Sequence, residues 1–310
     1  MKKVLFIVNP ASAGGRTLNR WNEVLPQLEA ANFNFDVQFT TEKGCAIKFV
    51  LDAVKTNYDT IVSVGGDGTA NEVVNGLMQV KIGSQKLPNF TIFPSGTGSD
   101  SVRTLGIPKD VEGFIKILEK NFEHPIDIGI AEYTQQNQQQ DTRFFLNACD
   151  VGIGATVADT VNSMNQNTEQ QTGKAKYFRS IIEQVFKFKA FDASVTVGEK
   201  KIDVNKTVII AICNGMFFGG GIKISPVSKM DDGMLELFAT DGVSKTGLLS
   251  LVSKVYSGSH VGHSKVKFQR FENFKIELEK PQLLETDGEV CGLINMVEFS
   301  VVKGAINILC

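Results

Sequence analysis

Three glycine-rich turns carry the residues whose types and spacing could do chemistry. One is Gly65-Gly66-Asp67-Gly68-Thr69-Ala70-Asn71-Glu72, entered from an apolar run and followed at once by a helical pattern. A second is Pro94-Ser95-Gly96-Thr97-Gly98-Ser99-Asp100, and a third is Asn9-Pro10-Ala11-Ser12-Ala13-Gly14-Gly15-Arg16. A helix that opens directly after such a turn offers unpaired backbone N–H groups and the positive end of its dipole, and glycine lets an anion come close. That is phosphate chemistry. Asp67 places an anion in a turn suited to anions, which makes sense if Mg²⁺ or a protonated group binds beside it. Arg16 supplies a cation able to meet a phosphate. Thr69 and Glu72 have capping-box spacing, which puts the helix start at Thr69. There is no G-x-x-x-x-G-K-[ST], and no intact G-x-G-x-x-G follows the first apolar run, so the P-loop and dinucleotide readings are disfavoured. One glycine turn alone is often only a tight turn; three in register point to a nucleotide.

The elements that must position these turns alternate through the first 120 residues. Apolar runs at 4–8, 35–39, 60–64 and 90–93 read as strands, and the segments between them have helical spacing, such as Leu18, Trp21, Leu25 and Leu28. Strand–helix alternation implies βαβ units and a parallel sheet covered on both faces, with ligands at the carboxyl ends of its strands. Pro26 within the first helical pattern predicts a kink or break. After about Pro125 short strand-like runs dominate (142–148, 193–197, 207–213, 234–239, 266–268, 274–278), punctuated by turns such as Asp231-Asp232-Gly233. Helices are expected near 155–165, 174–190 and 245–256, and the polar tract 134–141 reads as a hairpin tip. Taken alone, Asp287-Gly288-Glu289 is a polar hairpin turn, and Asp232-Gly233 is a plain turn. The predicted architecture is an α/β, three-layer doubly wound nucleotide-binding domain over 1–125, with 300–310 returning to it, and an all-β antiparallel sandwich over 126–299.

Composition sets the bounds. A chain of 310 residues is long for one core, and 42% hydrophobic with 21% charged residues is globular. A net charge of −2 gives no global field to recruit nucleic acid. The apolar run within Met1–Gly15 is short and soon meets Asn9-Pro10, which reads as a first strand rather than a leader, and no stretch is long enough to span a bilayer. Five scattered cysteines without C-x-x-C spacing predict reduced, mostly buried thiols in a cytoplasmic protein. The segment 173–191 places Phe178, Ile181, Ile182, Val185 and Phe186 on one stripe, with Lys174, Lys176, Arg179, Lys187 and Lys189 around it. Such a basic amphipathic helix packs on the sandwich, lies at an anionic membrane surface, or does both.

The motif set resembles the diacylglycerol kinase catalytic family, which includes bacterial lipid kinases and sphingosine kinases. The matching pieces are Asn9-Pro10-x-Ser12, Thr41-Glu42-x-Gly44, Gly65 to Thr69 with Asn71-Glu72, Gly96-Thr97-Gly98-x-Asp100, and Asn147-x-x-x-x-Gly152-x-Gly154. Then come Asn214-Gly215 with Gly219-Gly220-Gly221, Asp232-Gly233-x-Leu235, and Asp287-Gly288-Glu289. They span almost the whole chain in the family's order. The resemblance implies a kinase with ATP as substrate and Mg²⁺ as cofactor, acting on a lipid alcohol at a membrane, with diacylglycerol the leading acceptor. It implies nucleotide contacts from Asn9, Pro10, Ala11, Ser12, Ala13, Thr41, Gly66, Asp67, Gly68, Thr69, Ala70, Asn71, Glu72 and Thr97. It implies catalytic roles for Asp67 and Asp100 near Mg²⁺, and for Glu289 as the base that takes the hydroxyl proton. A structural Mg²⁺ is implied at the Asp232 carboxylate and the Lys229 and Met234 carbonyls. The family usually has Asn where Ser99 stands and Gly where Ala13 stands. Transient membrane contact and a homodimer are compatible with this reading. A kinase for a soluble nicotinamide nucleotide and an inactive nucleotide-binding regulator are the alternatives.

Overall fold

The computed structural model describes residues 2–82, 86–96, 99–136, 138–166, 183 and 187–310. In the first half, β1 (Lys3–Val8), β2 (Asn34–Phe39), β3 (Thr60–Gly65) and β4 (Asn89–Pro94) run parallel in the order β2-β1-β3-β4. Their helices are α1 (Arg16–Ala30), α2 (Cys45–Lys55), α3 (Asp67–Ile82), α4 (Asp100–Leu105) and α5 (Val111–Lys120). β1 and β3 are apolar almost throughout because helices cover both faces, whereas the edge strand β2 alternates half-buried with exposed residues. α1 buries Thr17, Trp21, Val24 and Leu28 on one face, and the Trp21 ring meets Phe6 of β1 at 5.2 Å. Helix α1 is not broken at Pro26: the proline lies on its exposed face, where solvent reaches the carbonyl left without a partner.

The second half is antiparallel: β5 (Glu123–Gln135), β6 (Gln140–Phe145), β7 (Ala148–Gly152), β8 (Phe191–Val197), β9 (Lys200–Thr207), β10 (Ile209–Cys213), β11 (Leu235–Thr240), β12 (Val266–Phe271), β13 (Asn273–Thr286) and β14 (Glu289–Leu309). Helix α6 (Ile153–Gln166) follows β7, and α7 (Lys245–Ser257) follows β11. β13 makes the sandwich possible by changing partners. Lys275–Leu278 pair with β8, a register shift follows, and Leu284–Thr286 pair with β7. β14 pairs with β13 and β5 along most of its length, and its end reaches β4, where Ile308 lies parallel to Phe90 and Thr91 Oγ1 donates to Leu309 O at 2.8 Å. The strand therefore stitches both halves into one sheet path. Ile306, Ile308 and Leu309 are buried in the same cluster as Phe6, Trp21 and Phe90. A second cluster fills the sandwich, and a third lies between β10, β11 and α7.

Two expectations change here. The run at 142–148 is split into β6 and β7, because the N–H groups of Leu146, Asn147 and Ala148 turn to the Asp287 carboxylate. Strands β5, β9 and the first part of β14 had no strand pattern strong enough to read. The helical stripe Phe178, Ile181, Ile182, Val185 and Phe186, with Lys174, Lys176 and Arg179, lies outside the described residues. Among the described residues no helix is long and apolar enough to cross a membrane. All five cysteines are free, with Cys45, Cys149 and Cys213 buried.

Candidate nucleotide and acceptor site

The three glycine turns meet at the carboxyl ends of β1, β3 and β4, as an open α/β sheet places them. Asn9 Nδ2 donates to Thr69 Oγ1 (3.1 Å), and Ser95 N and Gly96 N donate to Gly65 O (3.1 and 3.0 Å). Thr17 Oγ1 lies between the Ser12 hydroxyl (2.5 Å) and Ser95 O (3.3 Å). The approach is close enough to require glycine: a Cβ at Gly96 would come 2.5 Å from the Gly66 Cα, and one at Gly65 would come 2.6 Å from Thr69 Oγ1. Ala13 holds φ 54°, a left-handed conformation where glycine is easier, and its carbonyl accepts from Arg16 Nε at 2.9 Å. Pro10 and Ala11 lie in the same exposed loop, Ala11 N bonding to Asn9 Oδ1 at 3.1 Å. Arg16 is exposed at the start of α1. Thr97 lies outside the described residues.

Helix α3 starts at Asp67, two residues earlier than the capping-box spacing predicts. Glu72 does not close that box. Its carboxylate accepts from Gly44 N (2.9 Å) and Ala46 N (3.2 Å), so it caps the neighbouring helix α2. Thr41 sits just before that cap, its hydroxyl 3.5 Å from Cys45 Sγ. Asp67 likewise serves a neighbour, accepting from Asp100 N (3.3 Å), Ser101 N (3.4 Å) and Ser101 Oγ (2.8 Å) at the start of α4. The buried Asp100 carboxylate accepts from Gly220 N (2.7 Å) and Arg103 (3.2 Å). Burial raises the Asp100 carboxyl above its ordinary value; the Gly220 hydrogen bond opposes this and the Asp67 charge adds to it. Asn71 is buried below the corner rather than open to it. Its amide donates to Phe144 O and to Asp287 Oδ2, both at 2.9 Å.

Asp287 is the knot of the turn carrying Glu289. Besides Asn71 it accepts from Leu146 N (2.7 Å), Asn147 N (2.9 Å) and Ala148 N (2.9 Å). Burial pushes its carboxyl up to about 6 against these hydrogen bonds. Glu289 thus reaches the front half: its Oε1 would lie 3.2 Å from a Cβ placed on Gly68, beside Asp67. Its Oε2 pairs with Lys43, a contact sequence reading missed because that lysine lies inside the Thr41–Gly44 motif as an unremarkable exposed residue. Asp67 and Asp100 are hard oxygen donors of the type a divalent ion takes, and Arg103 pairs with Asp100 alone. In the loop of Lys229, Asp232 and Met234 a cation is likewise already in place. Asp232 pairs with Arg270, whose Nε also donates to the buried Glu236 at 2.8 Å, and Glu236 bonds to Ser228. A guanidinium thus meets the Asp232 carboxylate that the resemblance implies for a structural Mg²⁺.

Behind the corner a cavity of about 780 Å³ runs between α6 and α7. Asp67, Asp100, Asn147, Glu285, Asp287 and Gly288 line its polar end. Val157 and Val161 of α6, Leu251 and Val255 of α7, and Ile209 and Phe238 of the sheet are among its apolar walls. This volume is at the upper end of the range for drug-sized ligands, ~300–1,000 Å³.

The profile described as the diacylglycerol kinase catalytic domain matches residues 3–131, and the YegS C-terminal NAD kinase beta sandwich-like domain matches 147–310. The chain belongs to the diacylglycerol kinase family. This kinase is 25% identical over 292 residues to a Staphylococcus saprophyticus diacylglycerol kinase, covering 94% of this chain and 90% of that protein. A solved Bacillus anthracis structure, described as a candidate diacylglycerol kinase, has TM-score 0.78 at 26% identity, covering 99% of this chain and 95% of the other. Yeast NADH kinase, solved with NADH, shares the fold alone: TM-score 0.56 at 11% identity, over 99% of this kinase and 82% of that chain.

Proposed function

We propose that this kinase transfers the γ-phosphoryl group of ATP to the hydroxyl of a lipid alcohol, with diacylglycerol, the acceptor for which its relatives are named, the first to test. The observation that carries the reading is the apolar cavity whose polar end is lined by Asp67, Asp100, Asp287 and Gly288, the residue before Glu289. A soluble nicotinamide nucleotide would leave those apolar walls without a matching ligand surface. The glycine corner holds the triphosphate through backbone N–H groups, with Arg16 at the start of α1. Mg²⁺ held near Asp67 and Asp100 would neutralise charge on the phosphate oxygens. The Glu289 carboxylate takes the proton of the acceptor hydroxyl; the freed oxygen bonds to phosphorus as the bond from phosphorus to the ADP oxygen breaks. Lys43 keeps Glu289 against Gly68, and Asp287 fixes the turn below it.

The test is transfer of labelled phosphate from ATP and Mg²⁺ to a panel of lipid alcohols in mixed micelles. Replacing Glu289→Gln is expected to lower kcat about 10²–10⁴-fold while the unfolding midpoint stays near that of the unmodified kinase. Labelling of a soluble nucleotide but of no lipid would refute the reading. Peripheral membrane contact is part of the proposal: exposed Lys187 and Lys189 would each contribute about 1 kcal/mol at an anionic surface. Reversing both to glutamate should weaken sedimentation with anionic vesicles, and equal sedimentation would rule this contact out.

A further inference from the structure

Helix α7 is apolar on two faces. Leu251 and Val255 turn inward and are buried in one cluster with Ala211, Cys213 and Phe238. Val252 and Tyr256, one turn apart, face outward and are 44% and 57% exposed. By helical spacing Lys245 and Leu249 belong to the same stripe, the four residues standing at i, i+4, i+7 and i+11. The surface continues past the helix. A Cβ on Gly258 would lie 3.2 Å from Pro226 Cβ and 3.2 Å from Lys223 Cδ, which sets the 223–227 loop against the end of α7. His260 Nε2 donates to Ile224 O at 2.8 Å and fixes that contact. Val227 on this loop and Val261 just after the helix are exposed as well.

Charge and position name the partner. The segments 213–230 and 242–271 contain no aspartate or glutamate, although acidic residues outnumber lysine and arginine in the whole chain, 34 to 32. Lys267 and Arg270 within them are paired, with Asp241 and with Asp232 and Glu236. That leaves an apolar strip with Lys245 at one end, Lys223 at the other, and no carboxylate from either segment to repel an anion. Val252 and Tyr256 also line the α6–α7 cavity, so the outer strip and the cavity wall share two residues. A protein seated on the strip would cover the cavity mouth through which an acyl chain must enter, whereas a bilayer supplies that chain. Tyrosine suits such a place, because its ring is apolar and its hydroxyl stays wet.

We infer that the outer face of α7, with the 223–227 loop, docks on an anionic lipid bilayer and sets the mouth of the cavity against it. The inference rests on the lipid-kinase reading above and adds the surface by which the kinase meets its acceptor's membrane. Val252 and Tyr256 enter the boundary between head groups and acyl chains, and the cationic ends of the strip favour anionic lipid. Lys187 and Lys189 belong to another segment of the chain and are not needed for this contact.

The chain has one tryptophan, Trp21, buried in the front half, so a second one reports on its own surroundings. Tyr256→Trp should shift its emission to the blue when vesicles of phosphatidylglycerol and phosphatidylcholine are added, and less with phosphatidylcholine alone. Phe122→Trp is the control. Phe122 is exposed too, but it adjoins Glu123, which accepts from Asn89 at the end of β4 away from the glycine corner. Its emission should stay put. Val252→Glu with Tyr256→Glu should lower sedimentation affinity for the mixed vesicles about tenfold or more, with the unfolding midpoint kept because both side chains are exposed. An equal shift in both tryptophan variants, an equal shift on neutral vesicles, vesicle binding without a shift in Tyr256→Trp, or no vesicle binding overturns the docking face. So does a dimer in lipid-free solution that Tyr256→Glu abolishes, since a second copy would then be the occupant. The fluorescence comparison stands even where the double glutamate variant fails to fold. None of these measurements uses ATP or an acceptor, so a failure to label any lipid in mixed micelles is read separately, as the defeat of the lipid-kinase reading.

Discussion

Glu289 and Asp287 sit two positions apart and do opposite things. Asp287 is filled by three backbone N–H groups and the Asn71 amide and shapes the turn, while Glu289 projects from it toward Gly68 and Lys43. The tripeptide alone does not tell them apart; their partners do. Asp150 carries a prediction at this scale. Its carboxyl is raised from 3.8 to about 7 by burial, so the folded state holds the proton more tightly than the unfolded chain. That contribution is complete below about pH 4 and lost as pH rises through about 7. Denaturant unfolding of the unmodified kinase should therefore weaken between pH 5 and 8, and in Asp150→Asn that decline should shrink by about 3 kcal/mol. An unchanged pH profile in the variant would show that Asp150 is not proton-bearing in this window.

Among the elements, the starts of α2 and α4 are secured by a neighbouring helix, whereas α5 and α7 carry their own caps in Asp110 and Ser244. Glu72 of α3 caps α2, and Asp67 of α3 holds the start of α4. This is why the Thr69-x-x-Glu72 spacing misleads: the pattern is present, but a tertiary partner claims the carboxylate. The loop before β11 shows the same principle. The bond network of Asp232, Glu236 and Arg270 gives the loop its own cation. Thermal unfolding of the kinase should be insensitive to EDTA in the absence of nucleotide. Arg270→Met should lower Tm by roughly 4 °C, a modest shift because the arginine is half exposed. An EDTA-induced fall in the Tm of unmodified protein would restore the metal to this loop.

For the whole molecule, the decisive feature is the path of β13 and β14. β13 bends between two sheet partners and delivers Glu285 to Thr286 beside β7; β14 then begins at Glu289 and runs back to β4. Glu289 and the glycine corner are thereby fixed to one continuous sheet, with the α6–α7 cavity opening beside them. Filling that cavity should separate acceptors by length. Val157→Trp on α6 should lower kcat/KM for long-chain acceptors about tenfold or more while affecting a short-chain analogue much less. Equal loss on both would mean that the chain does not pass between the two helices.

The α/β front half is legible in the residues themselves, because a strand buried on both faces must be apolar and a phosphate-binding turn must be rich in glycine. The three corners, Asp67, Asp100 and Glu289 follow from that pattern and from the motifs that accompany it. Long-range pairing alone decides the rest. β5 and β14 carry mixed polar sequence because opposite ends of each strand meet different surroundings, so no simple period marks them. Lys43 at Glu289, Asn71 on Asp287, Arg270 in the Asp232 loop and the Asp150–Glu285 pair are contacts between residues 38 to 246 positions apart in the chain. A side chain's spacing along the sequence reports its own helix or strand. Its partner across the fold is set by how the sheet folds back.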